Sequence, residues 1–344
     1  MTMTPERVNK IRKEESPHHL ERKETPLVKF EIFYSPHVTG KDFEELHDLI
    51  KDADVYVPES PAITEMGRTF YRAVVEKGFN EAFADKTIRI DPFVEVELKL
   101  LSKSGKVILF ADTPPGHYTE DKFGRNEGNK LFVYADFQAG HFREAIRGIK
   151  EVEKAYAKNE HDREEYIRKE IFSQIEELRR GGVFKEDQAI RVLIRMGAFH
   201  TDLARKLEDN ARGRVKRAFS SSPFIFTHDT ELPRAYYLGK TEVSDDLAAR
   251  ALMSEFVTIL VLGVSEHTAK LYPVIRKIVD SLSYEQIEEI SKKKILEGEM
   301  GVWKQNLRAY LQSLGIEVPV NESDVDEMLK GDVRYKFLVE KRKE

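Results

Sequence analysis

Four residues carry the chemistry this 344-residue sequence offers: His37, Glu59, Asp112 and His200. Each stands at the end of a segment that reads as a β-strand. Core packing favours apolar side chains there, so two imidazoles and two carboxylates point to a shared polar site. Two chemistries use such a set. A divalent metal held by imidazoles and one or two carboxylates acidifies water and polarises a carbonyl. Alternatively, Glu59 or Asp112 orients His37 as a general base without any metal. The chain has no cysteine, which excludes disulfides, thiolate metal sites and cysteine nucleophiles. The remaining ligand types suit Mn, Co, Zn or Fe. Asp112 also fits the simpler role of a turn or cap residue.

The elements that must position these groups are legible. Val28, Phe30, Ile32 and Tyr34 alternate with Lys29, Glu31 and Phe33, mostly the two-residue period of a strand. Ser35-Pro36 stops it, because proline has no amide donor and restricts its predecessor, and His37 follows. Thr39 caps a helix with an apolar stripe of Phe43, Leu46 and Ile50. A second strand, Asp54 to Val57, ends at Pro58-Glu59. This strand–helix–strand crossover favours parallel strands, which places His37 and Glu59 on one carboxyl rim, where open α/β sheets bind ligands. A third strand, Val107 to Phe110, leads to Asp112. A fourth, Ile190 to Met196, turns through Gly197-Ala198-Phe199 to His200, after which Thr201 caps a helix carrying Leu203 and Leu207.

These pieces resemble the superfamily of TraB/PrgY pheromone-shutdown proteins, Tiki proteases, and erythromycin-esterase and ChaN-like proteins. Its members carry Gly-Thr-x-His at a strand end, then Val-x-Val-Glu, then Gly-x-x-His. The counterparts here are Tyr34-Ser35-Pro36-His37-Val38, Val55-Tyr56-Val57-Pro58-Glu59 and Gly197-Ala198-Phe199-His200. Val107 to Asp112 is similar to the strand that ends in an aspartate in TraB-type members. The resemblance covers roughly residues 28 to 210. It departs where Ser-Pro replaces Gly-Thr, and where no arginine stands close behind Glu59, the nearest being Arg68 and Arg72. It implies a hydrolase, with a peptide or amide bond first and an ester second. Tiki-like members are metal-dependent, which would make His37, Glu59 and His200 ligands. Erythromycin-esterase-like members are described with a His/Glu base.

Composition narrows the alternatives. Charged residues are 34% and apolar ones 40%, with net charge −5 from 56 basic and 61 acidic residues, ordinary for a folded soluble protein. That balance gives no general attraction to nucleic acid or anionic membranes. The most apolar run, Phe256 to Val264, is too short to span a bilayer, and the polar N-terminus reads as no signal peptide. A cytoplasmic location is expected. There is no Walker sequence, no Gly-x-Gly-x-x-Gly and no Gly-x-Ser-x-Gly elbow. The basic run Arg212 to Arg217 is too small for a nucleic-acid footprint.

Along the chain, residues 1–26 read as a flexible lead, 27–239 as an α/β core with a mostly parallel or mixed sheet flanked by helices, and 240–344 as an all-helical region. A helix is expected from about Met66 to Lys77 and another after Asp91-Pro92, where the alternation Val94-Val96-Leu98-Leu100 also fits a strand. A loop is expected from Thr113 through His117 to about Gly128-Asn129. Phe137 to Arg180 reads as a long helical stretch, either a hairpin or a broken helix, with the break expected at Asn159-Glu160-His161-Asp162. Arg68, Arg72, His117 and His228 are second-rank substrate-binding candidates, the arginines as clamps for a carboxylate. Phe256, Ile259, Leu260 and Leu262 are too apolar for a free helix, so the C-terminal helices should govern access or self-association. The expectation is a metal-assisted hydrolase acting on a peptide or small molecule. Its competitors are a metal-free His/Glu esterase and a silent binding or scaffold protein on the same fold.

Overall fold

A computed structural model describes residues 28–35, 46–60, 63–84, 92–197, 199–209, 215–219, 225–265 and 268–330. In chain order its elements are β1 (Val28–Ser35), α1 (Leu46–Asp52), β2 (Val55–Val57), α2 (Glu65–Lys77), the single turn α3 (Phe79–Ala82), α4 (Pro92–Leu101), β3 (Val107–Ile108), α5 (Tyr118–Ala139), α6 (Phe142–Arg180), β4 (Ile190–Gly197), α7 (Leu203–Glu208), β5 (Lys216–Phe219), α8 (His228–Tyr237), α9 (Asp245–Val261), α10 (Thr268–Asp280), α11 (Tyr284–Lys292), α12 (Met300–Ser313) and α13 (Glu322–Leu329).

The five strands form one wholly parallel sheet in the order β3-β2-β4-β1-β5. A parallel sheet buries both faces, and its inner strands β2, β4 and β1 are accordingly largely apolar on both sides. On one face Phe30, Ile32 and Tyr34 of β1 join Val192, Ile194 and Met196 of β4 under Ile167, Ile171 and Ile175 of α6. On the other, Phe33, Tyr56 and Leu193 pack under α1, α2 and α4 through Leu46, Tyr71, Val74 and Leu98. Consecutive residues therefore serve opposite layers, and the sheet lies in an α/β/α sandwich.

A separate helical core unites Phe137 of α5 and Phe142, Ile146 and Ile149 of α6 with α9 through α13. Phe256 and Leu260 are buried within it, so most of that apolar stripe is consumed inside the chain, while Leu262 remains 65% exposed. No helix among the described residues is long and apolar enough to cross a membrane.

Three expectations change. The segment read as a loop after His117 is the start of α5, because His117 caps it, its Nδ1 accepting the Thr119 N–H. The long helical stretch breaks at Gly140, which ends α5 with φ of 90°, a conformation glycine adopts without the Cβ penalty. The polar run at 159–162 does not break α6, which is continuous over 39 residues. The basic run ending at Arg217 supplies β5, an edge strand with exposed Lys216 and Arg217.

Candidate active site at the carboxyl rim

The rim gathers Glu59 beyond β2, Asp112 beyond β3 and His200 beyond β4. His37 lies outside the described residues. What joins the three is a side chain from α6, Arg163. Its guanidinium grips Asp112 bidentately, Nε to Oδ1 at 2.9 Å and one Nη to Oδ2 at 2.6 Å. It also donates to Glu59 Oε1 at 3.3 Å and to Glu160 Oε2 at 3.3 Å. Asp112 is fixed further by the amides of Ser60 (3.1 Å) and Thr113 (2.8 Å).

His200 sits behind this guanidinium. Its Nδ1 meets Glu164 Oε1 at 3.1 Å, and its Nε2 lies 3.5 Å from Glu59 Oε1 and 3.6 Å from Glu160 Oε2. The Tyr34 hydroxyl donates to its carbonyl at 3.2 Å, and Glu164 Oε2 accepts from Lys206 at 3.0 Å. Glu59 Oε2 accepts the Gly197 amide at 2.6 Å, so the β4 turn places both His200 and its neighbouring carboxylate.

The electrostatics are lopsided. Among the described residues, the carboxylates of Glu59, Asp112, Glu160 and Glu164 face two permanent cations, Arg163 and Lys206. Asp202, which also approaches Lys206, is gripped by Arg205. Burial opposes a charged His200 ring, but hydrogen bonds to Glu164 and Glu59 and the charge of Glu160 outweigh it and hold the pKa up to about 10. Burial pushes the Glu160 carboxyl up, against the pull of His200 and Arg163. Glu160 Oε1 is buried and lacks a hydrogen-bond partner among the described residues, which is costly unless a proton or cation reaches it.

A second buried cluster, on the opposite face of the sheet, supports the rim from beneath. Arg195 of β4 donates to Glu97 Oε1 of α4 at 2.6 Å. The hydroxyls of Tyr56 (2.5 Å) and Tyr71 (2.8 Å) donate to the same carboxylate. The other arm of Arg195 donates to the backbone carbonyl of Glu59 at 2.9 Å. This ion pair holds the strand end from which Glu59 projects.

No protein-family model, characterised protein or solved structure matches this chain. The site therefore rests on its own geometry.

The other candidates fall in different places. Arg68 and Arg72 project from α2 over the ring of Phe110, at 5.6 and 5.8 Å from its centroid. The arginine that reaches Glu59 is instead Arg163, 104 residues along the chain. His117 caps α5 and packs on Tyr166. His228 is buried at the start of α8 and pairs with Asp280 of α10 at 3.0 Å, within the helical layer. Glu160, Arg163 and Glu164 were not among the sequence candidates, although one signal marks them. They continue the register of Ile149, Val152 and Tyr156 towards Ile167 and Ile171, so charged side chains occupy a face that is otherwise buried.

Proposed function

We propose that this rim is a hydrolase site acting on a peptide or amide bond, with esters as the second class. The observation that supports the reading is the His200 imidazole, buried between Glu59 and Glu160 at a strand end, with one carboxylate oxygen of Glu160 unpartnered among the described residues. Glu59 is the carboxylate a substrate meets first: its side chain is 14% exposed, against 2% for Asp112 and 0% for Glu160. Fixed by the Gly197 amide, it is placed to take a proton from an attacking water. His200, held charged, is placed to return a proton to the leaving group. The Arg163 guanidinium, which donates to Asp112, Glu59 and Glu160, adds positive charge beside the place where a carbonyl oxygen would become anionic.

A metal-assisted form of the same reading has its own support. With His200 neutral the four carboxylates outnumber Arg163 and Lys206 by two among the described residues, and the donors are the oxygen and imidazole types that Mn, Co, Zn or Fe accept. His200, Glu59 and Glu160 would hold the ion, with His37 a further candidate. When bound, such an ion acidifies water and polarises a carbonyl. His200 would first surrender its Nε2 proton, and Arg163, hydrogen-bonded against these donors, would withdraw. No group of three His, Asp or Glu side chains among the described residues is already arranged to hold an ion, so these donors would have to shift to do so.

The test is a panel of peptide, amide and ester substrates, run with chelator and with added Mn or Zn, on the natural chain, Glu59→Gln and His200→Gln. Turnover in chelator that both variants lose supports the acid–base form. Turnover that needs the metal, with bound metal lost in His200→Gln, supports the metal-assisted form. If no substrate is turned over in either condition, the hydrolase reading fails and a binding or scaffold role on this fold takes its place.

A further inference from the structure

Away from the rim, one strand edge of the sheet is open among the described residues. In β3 the ladder to β2 runs through Val107, whose N–H reaches Asp54 O at 3.3 Å, and Leu109, whose N–H reaches Tyr56 O at 3.0 Å. Backbone groups alternate sides along a strand, so those of Ile108 and Phe110 point away from the sheet. Gln174 of α6 donates to Phe110 O at 3.1 Å and leaves the N–H and C=O of Ile108 facing outward. Because α2 covers one face of the sheet and α6 the other, they flank this edge as walls. Between them lies a groove of about 720 Å³ with β3 as its floor. That is within the ~300–1,000 Å³ of ligand sites, and its floor from Val107 to Phe110 is about 13 Å long at ~3.3 Å per residue.

The groove is polarised. At its rim end Arg68 and Arg72 stand over Phe110. Arg68 has no carboxylate partner among the described residues, and Arg72 approaches only the exposed Glu65, at 3.5 Å. Glu170 of α6 also lines the groove and accepts from Gln174 at 2.7 Å, so the two arginines leave this end with one net positive charge. At the other end lie Glu76 and Glu177 with Lys106, whose ammonium donates to the carbonyls of Lys51 and Ala53 at 2.9 and 2.7 Å, which leaves that end net negative. A strand edge presenting unpaired backbone groups is a template for another strand, and proteins usually seal or charge such edges. Here Gln174 and the shortness of β3 blunt the edge without sealing it.

We propose that this groove binds an extended peptide segment as a sixth strand, with an acidic side chain against Arg68 and Arg72 and a basic one towards Glu76 and Glu177. Main-chain pairing at Ile108 supplies the affinity, and the two charged ends set polarity and selectivity. The floor strand continues through Ala111 to Asp112, so the groove opens onto the rim. Docking there does not depend on the rim being a hydrolase.

The experiment uses fluorescent six-residue peptides with a Val-Thr-Val-Thr middle, an aspartate at one end and a lysine at the other, in both orders. A control carries glutamine at both ends. Polarisation with the full chain should show saturable binding of one charged order, about five-fold or more tighter than the control. Arg68→Glu with Arg72→Glu should abolish that preference. Methylating the peptide's alternate backbone amides should remove binding. The proposal is overturned by no saturable binding up to roughly 1 mM, by equal binding of charged and control peptides, or by undiminished binding of the methylated peptide. A dimer in sedimentation that the double arginine variant dissociates would also overturn it, making a second copy the occupant.

Discussion

His200→Gln isolates the proton stored beneath the rim. In the native chain burial alone would discharge the ring, yet Glu164, Glu59 and Glu160 hold its pKa up to about 10, from 6.5. A folded-state value above the unfolded one means the native state binds the proton more tightly. The resulting stabilisation is complete below about pH 6.5 and is lost as pH rises towards 10. At about 1.4 kcal/mol per pH unit, this interval caps the effect at about 5 kcal/mol. Native stability in chelator should thus fall by about 1.4 kcal/mol per pH unit between pH 7 and 9, relative to His200→Gln. Urea unfolding at each pH measures it, followed by far-UV circular dichroism and by fluorescence of the single tryptophan. That residue, Trp303, is buried in the helical core, so coincidence of the two signals also tests whether one free energy describes the chain. Parallel losses in the natural protein and the variant would refute a charged His200 and the acid role assigned to it.

Two further outcomes follow from the buried ion pairs. Arg163→Met strands Asp112 and Glu59 without their cation and should cost about 3–5 kcal/mol at neutral pH. Part of this should return on acidification as the carboxylates protonate, read as a melting temperature that rises from pH 8 to pH 5 relative to the natural chain. Glu97→Gln leaves the Arg195 guanidinium buried without its carboxylate, also about 3–5 kcal/mol, and loosens the carbonyl of Glu59. Hydrolytic turnover, if present, should fall with it, whereas an unchanged melting temperature would show that the cluster bears no weight.

Four of the five strands were legible because each is largely apolar and ended by a turn residue, and Glu59, Asp112 and His200 were singled out through those endings. The α6 part of the site was hidden by the same logic. Asn159-Glu160-His161-Asp162 is polar, and polar runs usually mark solvated turns. In the fold, the Asn159 amide donates to the Thr119 carbonyl and Glu160 turns to His200. Only the register of the flanking apolar residues carried that information. Arg195 was concealed inside an apolar strand, since its partner Glu97 lies 98 residues away. β5 was missed because an edge strand tolerates the exposed charges of Lys216 and Arg217, which the sequence presents as a basic run.

The place of β4 in the sheet has a consequence for how the chain acquires its shape. β1 and β2 pair with β4 and not with each other, so residues 28–57 hold two strands that cannot join until residues 190–197 exist. The α5–α6 hairpin, built from contacts between neighbours in sequence, can form while those strands are still waiting. Pairings across such distances are slow to close and leave strand edges exposed meanwhile. A nascent chain stopped before residue 190 should therefore be helical and sticky, with β2 able to pair only with β3 and β1 left waiting. The insertion of β4 between β2 and β1 then brings Arg195, Gly197 and His200 under the rim.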